Sequence, residues 1–219
     1  IDGIDPVTKR PVMQEVVEGL TRPFRDDELQ KTAFERSTPR LVEPASEDEV
    51  TQAVAYCLEG TSASCYLRLV SIPCRVPYRL PPDYRLERGR GVALTEGDDA
   101  ILIGYGPVML AQAYDAAALL RQRHGFGLRV VNLPWLNLVD PVWLTEQIAG
   151  VRDVLTLDDH YVQGGQGEML AAQLAELGAT GIRVRRFGVR TIPACGQNDE
   201  VLRAHRLDGE SLAADILAA

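Results

Sequence analysis

From residue 40 onward, short apolar runs alternate with longer segments of helical period, and that alternation limits the chain to a narrow set of folds. Residues 100–104 (AILIG) and 128–133 (LRVVNL) are apolar almost throughout, as strands buried on both faces must be. Between them, Gly106 and Pro107 lead into an alanine-rich helical segment over 108–124. The same order then repeats. A helix is predicted over 141–149, with Pro141 suited to its first turn, then a strand over 151–157. A helix follows from the glycines at 164–167 to Leu177, then a strand over 182–187 and a terminal helix over 210–217. Strands and helices of these lengths, taken in turn, predict a three-layer, doubly wound, mostly parallel α/β sheet.

A partial α/β unit precedes this sheet. Residues 40–43 (RLVE) predict a strand stopped by Pro44. Ser46, with Glu49 three residues on, has the form of a capping box. The helix it opens, over 47–58, sets Val50, Val54 and Leu58 on one apolar face and ends at Gly60. Residues 64–70 (SCYLRLV) predict the next strand. Residues 41–75 thus form a strand-helix-strand unit, which implies a parallel pair joined by a right-handed crossover. Pro77, Pro81 and Pro82 mark 76–90 as a linker to a domain over 91–219, which begins with a strand over 90–94 and a turn at 96–99. Residues 1–40 are charged and weakly periodic; they predict an arm or remnant, with a short helix over 12–20.

Composition removes several function classes. Hydrophobic residues make up 46% of the 219 and charged residues 25%, enough apolar surface for a core without disulfides or metal. A net charge of -8 does not fit a nucleic-acid footprint or an anionic membrane surface. No apolar run reaches the roughly 20 residues of a membrane span. The four cysteines, Cys57, Cys65, Cys74 and Cys195, contain no CxxC pair, and the three histidines are far apart, so no zinc site is expected. No signal peptide is recognisable, which makes a reducing cytoplasm the expectation. The chain opens on Ile1, which fits a processed chain or a piece of a longer one.

A few residues stand out as carriers of chemistry. Gly104-Tyr105-Gly106-Pro107 and Gly164-Gly165-Gln166-Gly167 each follow a predicted strand and precede a helix, where α/β sheets place ligands. Neither matches a dinucleotide or phosphate loop, and glycines there also serve close packing. Asp158-Asp159-His160 offers an acid-base pair at a strand end; equally, Asp159 orients His160 at an interface. Arg68 interrupts the apolar run Tyr66-Leu67-Arg68-Leu69-Val70 and needs a partner if buried. It is either an ion-pair anchor or an anion-binding residue at a cleft. His124 and His205 are read as structural or solvated. No Ser-His-Asp arrangement or metal cluster rises above background.

Taken in order, six segments resemble the transketolase family over about residues 41–216. LVEPASEDEVTQAVAYCLEG and SASCYLRLV are similar to the end of that family's pyrimidine-binding domain. GRGVALTEGDDAILIGYGPVMLAQAYDAAALL, LRVVNLPWLNLVD, LTLDDHYVQGGQGEML and FGVRTIPACGQNDEVLRAHRLDGESLAADI are similar to successive parts of its C-terminal domain. The resemblance implies an enzyme that uses thiamine diphosphate and magnesium to transfer a two-carbon ketol unit, with active sites at a dimer interface. It implies substrate binding by Arg68 and Ser71. Gly106, Asp159, His160, Gly164 and Gly165 would then lie at the interface or active-site edge. The sequence departs from the family at Ser71, where phosphosugar-using members often have a second arginine, and at Gln166 and Thr191. The diphosphate-binding domain and the catalytic glutamate have no counterpart here. Catalytic and cofactor-binding residues are therefore not assigned, and cofactor and metal are expected to bind only the complete enzyme. The expected partner is a second copy or a complementary N-terminal chain or segment. Two alternatives are a non-catalytic dimerisation or partner-docking domain, and a β-type subunit of a 2-oxo acid dehydrogenase.

Overall fold

A computed structural model describes residues 38–218, and the helix expected over 12–20 lies outside them. The smaller unit is a parallel strand pair, β1 (Arg40–Val42) and β2 (Cys65–Leu67), joined by helix α1 (Glu47–Ala55) and a wider turn over Tyr56–Gly60. The larger sheet has five strands. In chain order they are β3 (Val92–Ala93), β4 (Ala100–Gly104), β5 (Leu128–Asn132), β6 (Asp153–Tyr161) and β7 (Arg183–Val189). Their spatial order is β3-β5-β4-β6-β7, with β3 antiparallel to β5 and the rest parallel. The helices are α2 (Pro107–His124), α3 (Pro141–Ile148), α4 (Gln166–Glu176), α5 (Asn198–Ala204) and α6 (Gly209–Leu217).

The central strand β4 is buried along its whole length, and clusters of buried side chains cover both of its faces. Leu102, from one face, packs with α2 and α6 residues such as Leu110, Leu120 and Leu212. Ile101 and Ile103, from the other, pack with Trp143, Leu144, Leu170 and Leu174 of α3 and α4. The alternation along one strand thus feeds two cores, which is the three-layer α/β arrangement predicted above. Pro141 sits in the first turn of α3, and the Asp140 side chain accepts from Val142 N and Trp143 N. Gly125, in the left-handed region at φ 65°, ends α2, as C-terminal glycines do.

Several local expectations change. The helix over 47–58 was expected to bury Val50, Val54 and Leu58. Instead Val54 and Leu58 are exposed (40% and 76%), and Glu49 and Ala53 face inward. Ser46 does cap α1, accepting from Glu49 N at 3.2 Å. The return half of the capping box is missing, because the Glu49 carboxylate is used inside the protein. It accepts from Ala45 N at 2.6 Å, from Tyr84 Oη, and from Asn132 Nδ2 at 2.9 and 3.0 Å. Strand β2 is shorter than 64–70, and β6 continues past Leu157 to Tyr161 through a register shift. Helix α5 has no counterpart among the predicted elements.

Residues 68–91 contain no regular element, yet they are anchored. Tyr78 and Tyr84 are buried. Tyr78 Oη donates to Ala45 O at 3.0 Å, Leu86 N to Gln52 Oε1 at 2.8 Å, and Trp135 Nε1 to Glu87 O at 2.8 Å. This strap, together with the bridge between Val42 and Trp135, binds the two-stranded unit to the carboxyl end of β5.

Candidate active-site edge

The strap and bridge bring the carboxyl end of the small parallel pair against the carboxyl ends of β4 and β6. Glu43 follows β1; its N–H donates to Pro134 O at 2.9 Å. Arg68 follows β2, and its N–H donates to Val42 O at 2.9 Å, so the backbone pairing continues one step beyond the strand. Gly106 opens α2 with φ 69° and ψ 154°, a conformation in effect reserved for glycine. A Cβ at Gly106 would lie 2.2 Å from Glu43 Oε1. Close approach as well as backbone angle therefore requires glycine there.

Arg68 is held between two carboxylates. Its Nη1 lies 3.1 Å from Glu43 Oε2, and its Nη2 lies 3.1 Å from Asp159 Oδ2 and 3.0 Å from the Asp159 carbonyl. The side chain of Glu43 is 1% exposed, against 33% for Arg68 and 38% for Asp159. Burial pushes the Glu43 carboxyl up to about 7; Arg68 opposes the rise and Asp159 adds to it. Burial works against the charge on Arg68, but Glu43, Asp159 and Tyr105 outweigh it and the guanidinium is held above its ordinary value. Of the two sequence readings of Arg68, the geometry is that of an ion-pair anchor.

A second layer supports this rim. Asp158 is fully buried and accepts from Gln166 N at 2.7 Å, Gly167 N at 3.0 Å and Tyr105 Oη at 3.2 Å. It thereby satisfies amides at the start of α4 that would otherwise lack partners. Burial raises its pKa, against the lowering effect of those three hydrogen bonds. A Cβ on Gly165 would sit 2.7 Å from Asp158 Oδ1, and one on Gly167 would sit 2.2 Å from Thr156 Oγ1. The buried Gln166 side chain donates to Leu133 O at 2.7 Å and Trp135 O at 2.9 Å. An amide where the family more often has an apolar residue thus ties α4 to the loop after β5.

The structure brings Arg68, Gly106 and Asp159 together around Glu43, with Gly165 one layer behind through Asp158 and Tyr105. His160 is exposed, with Nδ1 2.9 Å from Tyr161 O; its own ring makes no acid-base pair with Asp159. Gly164 is exposed with φ 71°, and its N–H donates to Glu168 Oε2 at 2.8 Å. Ser71 is exposed on the irregular segment after β2. The residue that sequence reasoning passed over is Glu43. Its signal was a charge closing an apolar strand just before Pro44. At neutral pH this acid sits near its midpoint, so the rim can hold or release a proton, and Arg68 can hold a bound group only in competition with two carboxylates.

The comparisons with known proteins agree with this architecture. The family model for the transketolase C-terminal domain matches residues 89–212. Transketolase from Pongo abelii is 27% identical over 187 residues, 84% of this chain and 29% of that protein. The 1-deoxy-D-xylulose-5-phosphate synthase of Desulfitobacterium hafniense is 31% identical over 71% of this chain and 25% of its own length. The chain therefore spans under a third of the length of these relatives. Among solved structures, a split-gene transketolase described as an inactive β4 tetramer superposes with a TM-score of 0.72 at 28% identity. It covers 87% of this chain, which in turn covers 61% of it.

Thiamine diphosphate and magnesium, which such relatives imply, do not fit the described residues. Among these, no three His, Cys, Asp or Glu side chains converge to hold a metal. The guanidinium at the rim is already paired with Glu43 and Asp159. By its matched domain, its relatives and its fold, the chain belongs to the transketolase C-terminal domain family.

Proposed function

We propose that this chain is the C-terminal portion or subunit of a transketolase-type enzyme that transfers a two-carbon ketol unit, and that it contributes to dimerisation and to one edge of the active site. The observation that carries this reading is the convergence of Glu43, Arg68, Gly106 and Asp159 at the carboxyl ends of strands from both units. Sheets of this class present ligands at that end. Arg68 and Ser71 would face the donor substrate, with Asp159 and His160 towards the neighbouring subunit. Thiamine diphosphate and magnesium would be held elsewhere in the complete enzyme. Nothing in the described residues requires a phosphorylated donor, because Arg68 already has two acidic partners.

The test is reconstitution. The chain is mixed with a complementary chain carrying the diphosphate-binding domain, and ketose-dependent ketol transfer is followed. Activity is expected only in the mixture, and Arg68→Gln is expected to raise KM for the donor more than it lowers kcat. Turnover of a 2-oxo acid with a lipoyl partner, and none of ketoses, would replace this reading with a 2-oxo acid dehydrogenase β-type subunit. A specific observation also favours the docking role: Leu58, Tyr66 and Leu69 expose 76%, 61% and 56% of their surface on the small unit. Large apolar side chains left exposed are material for an interaction surface where they form one patch. Stable association without turnover in any mixture would leave docking as the function.

A further inference from the structure

A pair of thiols outside the Arg68 rim has no part in the site described above. Cys57 lies in the wide turn that follows α1, and Cys65 is the first residue of β2. The crossover from helix to strand brings the two side chains together, and the Cys57 thiol is hydrogen-bonded to that of Cys65. Both are free and half-buried, whereas Cys74 and Cys195 are free and exposed.

A purely structural pair would be enclosed by apolar side chains, as free cysteines commonly are. This pair is not. No residue of the wide turn is buried, and Leu58 and Tyr66, which follow the two cysteines in sequence, are among the most exposed apolar residues described. Turns of this width are rare and frequent at functional sites. The backbone on each side is nevertheless held. The Tyr56 ring, next to Cys57, packs edge-on against the buried Trp135 with ring centroids 4.9 Å apart. Cys65 pairs with Arg40 in the β1–β2 register, and its thiol donates weakly to Ala63 O at 3.7 Å. The thiols are thus reachable from solvent, adjacent, and carried on ordered backbone.

We propose that Cys57 and Cys65 are a redox-sensitive pair, which a hydroperoxide closes to a reversible disulfide within the chain. The Cys65 thiolate attacks one peroxide oxygen, the O–O bond breaks, and the departing hydroxide takes up a proton and leaves as water. Cys65 is then a sulfenic acid. Cys57 Sγ attacks that sulfur, the S–S bond forms and the S–O bond breaks. The second hydroxide leaves as water with the Cys57 proton. Two thiols lose two electrons between them, and one hydrogen peroxide is reduced to two waters. The order follows from the surroundings. Burial, and next the Cys65 neighbour, push the Cys57 thiol up to about 11, so Cys57 keeps its proton and resolves the intermediate. Closing the bond ties the end of α1 to the strand that leads to Arg68. The pair is separate from the Glu43–Arg68–Asp159 rim and does not depend on the transketolase reading.

The test uses the full 219-residue chain carrying Cys74→Ser and Cys195→Ser, so that the exposed thiols do not compete. It is treated with hydrogen peroxide at low protein concentration, and the remaining thiols are alkylated. Digestion without reductant is expected to give one peptide pair linked through Cys57 and Cys65, which dithiothreitol separates. The oxidised chain is expected to unfold at a higher temperature than the reduced one, because the link restricts the unfolded chain. With Cys57→Ser added, a sulfenic acid should persist at Cys65 and be trapped by dimedone. With Cys65→Ser added instead, Cys57 should stay reduced over the same time. The proposal is overturned if both thiols still alkylate after peroxide, if the link joins two chains, or if peroxide carries either cysteine to the sulfinic acid instead. It is equally overturned if the linked chain unfolds at a lower temperature, or if Cys57 oxidises as fast without Cys65.

Discussion

The Glu43 carboxyl has an ordinary value of 4.5 and is held near 7 in the fold, chiefly by burial. Between those two pH values the folded chain keeps a proton that the unfolded chain has lost. Stability from this group is therefore full below about 4.5, falls as pH rises, and is lost above about 7. The whole effect is on the order of 3 kcal/mol. Glu49 and Asp158 are also raised by burial and add the same sign. Glu43→Gln should accordingly have a higher thermal midpoint than the native chain near pH 8, and no such gain near pH 5. Equal midpoints at both pH values would show that the carboxyl ionises freely. Asp158 makes a contrasting case, because its oxygens serve three donors. Asp158→Ala should cost about 2–4 kcal/mol in urea unfolding, from the lost helix-end acceptor and the stranded buried donors. A loss under about 0.5 kcal/mol, the range of an ordinary surface substitution, would refute that account.

At the scale of elements, the start of a helix governs each side of the site. Helix α2 begins where Gly106 meets Glu43, and α4 begins where Gly165 and Gly167 meet Asp158 and Thr156. Gly167→Ala introduces a carbon 2.2 Å from Thr156 Oγ1 and should destabilise by about 1–3 kcal/mol, the cost of overpacking. Its backbone needs no special angle, so adding Thr156→Ala should recover part of that loss, the remainder coming from Asp158 Oδ2, which stays 2.8 Å from the new carbon. Gly106→Ala should not be recovered in this way by Glu43→Ala, because its φ of 69° remains unfavourable for alanine when the clash is gone. The pair of double variants, followed by thermal unfolding, separates crowding from backbone strain.

At the scale of the whole molecule, the described residues include no helix long and apolar enough to cross a membrane. On the proposed reading they supply the rim of a site rather than a complete one. Titration calorimetry of the chain alone with thiamine diphosphate and magnesium is expected to give no tight binding. Binding in the nanomolar to low micromolar range, about -8 kcal/mol or stronger, would mean that this chain itself carries the cofactor site.

Much of the large sheet was legible in the sequence, because a strand covered on both faces must be apolar throughout and its helices must repeat every three to four residues. Residues 100–104 and 128–133 have no other good use, and β4 and β5 stand where they predict. Asp140 and Gly125 likewise act over two or three residues, within reach of local pattern. The small unit was less legible because its polar contacts are long-range. Glu49 looks like half of a capping box until Tyr84 and Asn132, 35 and 83 residues away, take its carboxylate. The apolar face of Val54 and Leu58 looks like core until the fold turns it outward. Sequence alone thus determined the α/β class and the family, since both rest on short-range periodicity and segment order. Only the tertiary structure decided that Glu43 shares Arg68 with Asp159, 91 residues beyond that arginine. Burial and charge at a point in space are properties of the assembled chain, and no single segment carries them.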